Sequence, residues 1–191
     1  MYWHNVQNQP PKSYKCGYCG NSIASEKGYH ATEYNTTTSN IIAYMYVCHV
    51  CTKPTFFNKG GEQFPGPLVG NPVNHLPSID IGNLFKEARD CFSVNAFTSC
   101  VMCCRKLLMN IAVTQGAEEG KNYIDYVNYL NDNNYIPPNG KEWVDSIRKL
   151  GNEANHKIEF KTKEDALRII NFTEMLLRFI YELPGLMRES G

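Results

Sequence analysis

Two pairs of cysteines, Cys16-Gly-Tyr-Cys19 and Cys48-His-Val-Cys51, constrain this chain more than any other feature, because the 28 residues between them must fold so that four thiols converge. Each Cys-x-x-Cys knuckle presents two thiolates from one tight turn, and Gly17 or Gly20 is available for the strained backbone angles there. Together they match the four soft ligands that tetrahedral zinc takes, so Cys16, Cys19, Cys48 and Cys51 are expected to hold Zn2+. A redox pair or an iron-sulfur site are the alternatives. Four thiolates leave no open coordination position, so the expected role is structural, with the metal supplying folding energy that so small a segment lacks. His30 and His49 are read as bystanders.

The residues between the knuckles fit a hairpin. Segments 28–34 and 41–47 are rich in Tyr, Thr, Ile and Val, and 35–40 reads as a polar turn. From 58 to 77, frequent Pro and Gly forbid a regular helix or a central strand, which predicts a linker. The expected organisation is a zinc ribbon over 1–57, the linker over 58–77, and a helical domain over 78–191.

After Pro77 the apolar period becomes helical. One helix is predicted over 79–91 with Leu84, Ala88 and Cys91 on its inner face, and a second over 96–114 with Phe97, Val101, Cys104, Leu108 and Ile111. Cys100, Cys103 and Cys104 read as small buried hydrophobes. A shorter helix is expected over 122–131. The next follows Pro137-Pro138, with Asn139 as N-cap and Glu142 at capping-box spacing. The last starts at Thr162-Lys-Glu-Asp165 and is expected to end before Pro184. The fold class is thus α+β, a small β zinc ribbon followed by an all-α bundle of about five helices.

If the fourth helix continues from Trp143 through His156, its turn of about 100° per residue places Trp143, Ile147, Leu150 and Ala154 on one side. Arg148, Asn152 and Asn155 then gather nearly opposite, with His156 beside them. Two readings stay open. Arg148 pairs with Asp145, Glu153 or Asp165 while His156 steadies a helix end; or Arg148, Asn152 and His156 form a site.

The order Leu76-Pro77, Glu87-Ala88, Arg105-Lys106-Leu107, Ile147-Arg148, Gly151-Asn-Glu-Ala-Asn-His156, Glu164-Asp-Ala166, Leu176-Leu177 and Ile180-Tyr-Glu182 resembles domain of unknown function 4145. A zinc ribbon ahead of that domain is also similar to known members. The family is grouped with the HEPN helical bundles of toxins, restriction systems and antiviral defence, many of them metal-independent ribonucleases. In those an Arg-polar-x-x-x-His motif from each of two protomers meets at a dimer interface. The resemblance implies an HEPN-like helical domain, a homodimer through the surface carrying Arg148, Asn152 and His156, and RNA or a protein of a defence system as partner. Aligned on Asn152 and His156, the position of the motif arginine is Gly151, and the nearest arginine is Arg148.

The chemistry suits such a site. Histidine titrates near neutrality and moves protons, and the planar arginine fork stabilises charge on phosphorus. Asn152 would orient His156 or hold a phosphate oxygen. The leading expectation is an RNA-interacting protein of prokaryotic or phage conflict systems, with metal-independent endoribonuclease activity left open. A non-catalytic homodimerising interaction module is the alternative, and a zinc-ribbon DNA-binding protein a further one. With 19 basic and 19 acidic residues, overall charge argues for neither a nucleic-acid nor a membrane partner. The first ten residues carry no signal-peptide pattern and no apolar run approaches the roughly 18 residues of a membrane span, so a cytoplasmic protein without membrane attachment is expected.

Overall fold

The structure, a computed structural model, describes residues 1–34, 39–137, 140–150 and 159–189. The chain divides into two compact units, one of residues 1–69 with 93–95 and the other of 70–92 with 96–191. The division falls inside the Pro/Gly-rich 58–77 segment. The fold is α+β.

Among the described residues the first unit carries an antiparallel sheet of five strands in the order β1 (Gln7–Lys15), β2 (Ser22–Tyr34), β3 (Ser39–Val47), β4 (Pro54–Asn58) and β5 (Gln63–Phe64). The predicted hairpin is β2 and β3, and the sheet extends beyond it on both sides. Pro10 and Pro11 lie within β1. Their missing N–H groups are tolerated because β1 is an edge strand, and its pairing to β2 shifts register between Asn8 and Lys12. One face of the sheet holds an aromatic cluster. Tyr46 and Phe57 are buried, with ring centroids 5.8 Å apart, and Tyr14 meets Phe57 edge-on at 5.2 Å. The Tyr46 hydroxyl donates to the Pro10 carbonyl at 2.7 Å, tying the proline kink to the cluster. Gly28, paired with Tyr46, lets β2 approach the β3 backbone closely, since a Cβ there would sit 2.0 Å from the Met45 carbonyl oxygen.

The second unit contains α1 (Ile79–Ser93), α2 (Phe97–Thr114), α3 (Tyr123–Asp132), α4 (Lys141–Leu150), α5 (Lys163–Leu177), a π-helical turn (Arg178–Glu182) and α6 (Leu183–Glu189). At its centre α2 packs on α5. Val101, Cys104, Leu108 and Ile111 of α2 and Ile169, Ile170, Leu176 and Leu177 of α5 are fully buried. By length and composition α2 alone among the described helices would pass for a membrane span. Its buried side is the core stripe of the bundle. Cys100 and Cys104 lie in that stripe, as small hydrophobes would, whereas Cys91 and Cys103 are half-buried.

Three sequence expectations are corrected. The inner face of α1 runs through Ile81, Phe85, Ala88 and Phe92, so Leu84 and Cys91 sit at its border. On α4 the core residues are Val144, Ile147 and Leu150, and Trp143 is 51% exposed. The last helix starts at the predicted capping box, with Thr162 Oγ1 accepting from Asp165 N–H and Asp165 Oδ2 accepting from Thr162 N–H. It does not stop before Pro184. The π turn has Leu183 N–H donating to Arg178 O, five residues back, so the helix is already loosened where Pro184 brings no N–H.

Residues 70–77 form a strap held to the last helix by charge. Glu182, 5% exposed, accepts from Asn74 N–H at 2.8 Å and from the Arg178 guanidinium. Glu174 accepts from Asn71 N–H at 3.1 Å and from Arg178 Nε at 2.9 Å. The Asn74 N–H, and then Arg178 working against the cost of burial, hold the Glu182 carboxyl below the ordinary carboxylate range. A pKa lower in the folded than in the unfolded chain means stabilisation that is present at neutral pH and disappears as pH falls through the folded value. Glu182→Ala is therefore expected to cost about 2–3 kcal/mol, as for loss of hydrogen bonds to a buried charge. Acidification below about pH 4 should lower the protection of the Asn74 amide, measured against its intrinsic exchange rate at the same pH, before the α2–α5 core opens; unchanged protection there would show that the strap is held by packing alone.

Candidate metal centre

The two knuckles fold alike because their backbones solve the same problem. Cys16 N–H donates to Asn21 O at 2.9 Å and Gly20 N–H to Cys16 O at 2.9 Å. In the second, Cys48 N–H donates to Lys53 O at 3.0 Å and Thr52 N–H to Cys48 O at 2.8 Å. The residue after each second cysteine takes a left-handed conformation, Gly20 at φ 73° and Thr52 at φ 57°. Glycine does so freely, but a β-branched residue is strained there. Thr52 is held in place, since its carbonyl accepts from Trp3 Nε1 at 2.7 Å. Of the two glycines expected to relieve strain, Gly20 supplies the left-handed angle. Gly17 serves a different need, because a Cβ on it would lie 2.4 Å from the Gly66 carbonyl oxygen, so segment 65–66 packs directly on the first knuckle.

The four sulfur atoms lie within 4.8 Å of one another, the one such group of metal-ligating side chains among the described residues. Cys16 Sγ is 3.7 Å from Cys51 Sγ, and Cys19 Sγ is 3.8 Å from Cys48 Sγ. A tetrahedron with metal–sulfur bonds of about 2.3 Å has sulfur–sulfur edges of about 3.8 Å, so the donor set fits a tetrahedral ion of zinc's size. Cys16 and Cys48 are fully buried and pack with Ile23 and Tyr14. His30 and His49 stand outside the group, as expected, and His30 Nδ1 is instead 3.1 Å from Gln9 Oε1.

The protein tunes these thiols unequally. Burial works against the Cys19 thiolate, but hydrogen bonds from the Asn21 backbone and side chain outweigh it and bring the thiol down to about 7. Burial pushes Cys51 up to about 12. A dication at the centre of the four would bring all of them to the thiolate form. Around the centre, Lys53 Nζ lies 4.9 Å from the Tyr18 ring centroid, joining the outer sides of the two knuckles. The sequence carried no signal for the roles of Asn21, Trp3 and Lys53, which arise only once the turns are in place.

The second candidate site is described in part. Arg148, on α4, donates from Nε to Asn128 Oδ1 at 2.7 Å and from Nη1 to Asp145 Oδ1 at 2.9 Å. Its salt bridge to Asp145 is one of the pairings expected from helical spacing, and Asn128, on α3, has no counterpart in the sequence reading. Asn152 and His156 lie outside the described residues, as does the capping residue Asn139.

Cys48→Ser is expected to reduce bound metal from about one ion per chain to a small fraction, measured by elemental mass spectrometry. It should also unfold the sheet while leaving helical circular dichroism in place, because structural sites of this kind contribute on the order of 10 kcal/mol or more. Full metal content and an intact sheet in this variant would overturn the closed four-thiolate centre.

The model of a family described as Domain of unknown function (DUF4145) matches residues 86–189, from within α1 to the end of α6 and more than half of the 191-residue chain. No curated protein and no solved structure matches the chain. The ribbon and its four cysteines lie outside the matched residues. The match spans every segment that carried the resemblance except Leu76-Pro77, and the chain belongs to the DUF4145 family.

Proposed function

We propose that the protein is a homodimeric binding module, whose HEPN-like helical unit pairs with a second copy and whose ribbon is held by a structural zinc ion. The observation that carries this reading is a stripe of apolar side chains left in solvent along one face of the last helix. Phe179 and Leu183 are each 49% exposed and Met187 78%, at intervals of four residues. Trp143 of α4 stands beside the same face, over a cavity of about 580 Å3 walled by Ile147, Phe172 and Met175. A monomer gains nothing from such a stripe, and contiguous exposed apolar surface marks an interaction site.

A second copy suits it because the rim carries both signs, Glu142 and Arg168. Two-fold pairing sets a patch against itself, so the acid of one copy meets the base of the other. The helix through α5, the π turn and α6 is about 40 Å long, enough for the central contact of a dimer. A single tetrahedral ion such as zinc is favoured over a multi-iron cluster by sulfur atoms that lie within 4.8 Å of one another. The free cysteines, four gathered as ligands, Cys100 and Cys104 buried in a helix stripe and Cys91 and Cys103 half-buried, suit a reducing, cytoplasmic setting.

The ribonuclease reading rests on Arg148, Asn152 and His156. Against it, the Arg148 guanidinium donates to Asp145 and Asn128, contacts that a phosphate would have to compete with. The two readings separate experimentally. Light scattering should give twice the chain mass for the wild type and the chain mass for Phe179→Glu/Leu183→Glu; a wild type monomeric at about 100 μM, far above a micromolar dimer constant, would sink the dimer. Wild type and His156→Ala, incubated briefly with cellular RNA in EDTA, should both leave it intact. Cleavage by the wild type that is lost in His156→Ala would establish the metal-independent endoribonuclease instead.

A further inference from the structure

The sheet spends its aromatic residues on both faces, and only one face is needed for its core. Residues directly opposite in antiparallel strands point to the same side. Tyr29 pairs with Met45, Met45 with Phe56, and Phe56 with Phe64, so these four side chains form one row across β2, β3, β4 and β5. The row lies on the side opposite the Tyr46–Phe57 cluster, because Phe56 and Phe57 are neighbours in a strand. At strand spacings of about 4.8 Å it is about 14 Å long. Phe56 and Phe64 are each 42% exposed, with ring centroids 6.4 Å apart. At the other end Trp3 packs on Tyr29, with centroids 6.3 Å apart.

We infer that this row is a docking surface for single-stranded RNA, with unpaired bases stacking on the exposed Phe56–Phe64 pair. This goes beyond the dimeric module proposed above and does not depend on it. The exposed groups are mainly ring faces rather than branched aliphatic chains. Rings at separate points along an open sheet suit flat bases, each of which has a face to stack, better than they suit the interdigitated contacts of a protein core.

Charge points the same way. The first 69 residues carry five lysines and no arginine, against three glutamates and no aspartate, whereas the whole chain is neutral. Lys27 lies two residues before Tyr29 on the same side of β2, its ammonium donating to Asn8 Oδ1 with two further protons to offer. Lys59 is exposed and directly follows β4. Glu62, the acid beside β5, is engaged by Asn58 Nδ2 at 2.6 Å. A strand laid along the row thus meets the Lys27 ammonium at the β2 end and passes the exposed Lys59 just beyond β4, with the exposed Glu33 of β2 as the opposing charge. RNA is favoured over DNA because its loops and ends present unpaired bases without a duplex having to be opened.

The test is fluorescence anisotropy of the zinc-loaded full chain with a labelled ten-nucleotide oligouridine at low salt, the oligonucleotide being checked for integrity on a gel. A DNA strand of the same length and an RNA duplex are the comparison arms. Phe56→Ala and Phe64→Ala should each weaken binding about tenfold or more with metal content unchanged, and Phe56→Trp should retain it. Lys27→Ala should weaken it and reduce its salt dependence. Absence of binding, binding undiminished by the aromatic substitutions, or preference for duplex or for DNA would each overturn the inference. Because both substitutions lie in the sheet, loss of dimerisation at Phe179 and Leu183 has no bearing on the outcome.

Discussion

Four sulfur atoms within 4.8 Å of one another are stable as thiolates only around a cation, and the first unit is arranged to bring them there. The sheet places one knuckle between β1 and β2 and the other between β3 and β4, so the register of the β2–β3 hairpin sets the distance between the two pairs. In each knuckle backbone N–H groups close the turn. Others, with the Asn21 side-chain amide, go to sulfur and spread its charge, from Tyr18 to Cys16, from Asn21 to Cys19 and from Lys53 to Cys51. The strained Thr52 is the cost of making both turns alike, and the Trp3 hydrogen bond offsets it from outside.

The helical unit solves a different problem. Its core lies between α2 and α5, where aliphatic packing suffices, and its buried charges among the described residues, Arg89, Lys161 and Glu182, come from outside the apolar stripes of those helices. Glu174, Arg178 and Glu182 follow one another at helical spacing and turn toward the strap; the two carboxylates accept from its Asn71 and Asn74 N–H groups, and Arg178 Nη2 donates to the Pro72 carbonyl. The π turn falls on this charged segment. A loosened helix therefore coincides with the residues that hold the strap and with the proline that follows. The same helix turns its apolar surplus outward at Phe179, Leu183 and Met187, so one element carries the core, the strap and the surface available to a partner.

Much of this was legible in the chain. The knuckle spacing announced the metal centre, since two Cys-x-x-Cys pairs have few other uses. Thr162 and Asp165 announced the start of the last helix, because capping is local chemistry. The outer strands escaped notice for equally local reasons. β1 contains two prolines and β5 is two residues long, so neither shows a strand pattern by itself; each exists because a paired neighbour supplies its hydrogen bonds. The end of the last helix was misplaced because Pro184 is a reliable breaker only where the hydrogen-bond ladder is regular, and the π turn removes that condition.

The sequence by itself determined the donor set, the α+β division and the resemblance to the helical family, since all three rest on residue type and spacing along the chain. Tertiary structure decided which side of each element meets the core. It turned Trp143 outward and Val144 inward by one position on α4, and tied Arg148 to Asn128 twenty residues away. It also set Tyr29, Met45, Phe56 and Phe64 in one row although they span 35 residues of sequence. Those outcomes depend on strand register and helix rotation, and both are settled by what packs against the element rather than by the element's own pattern.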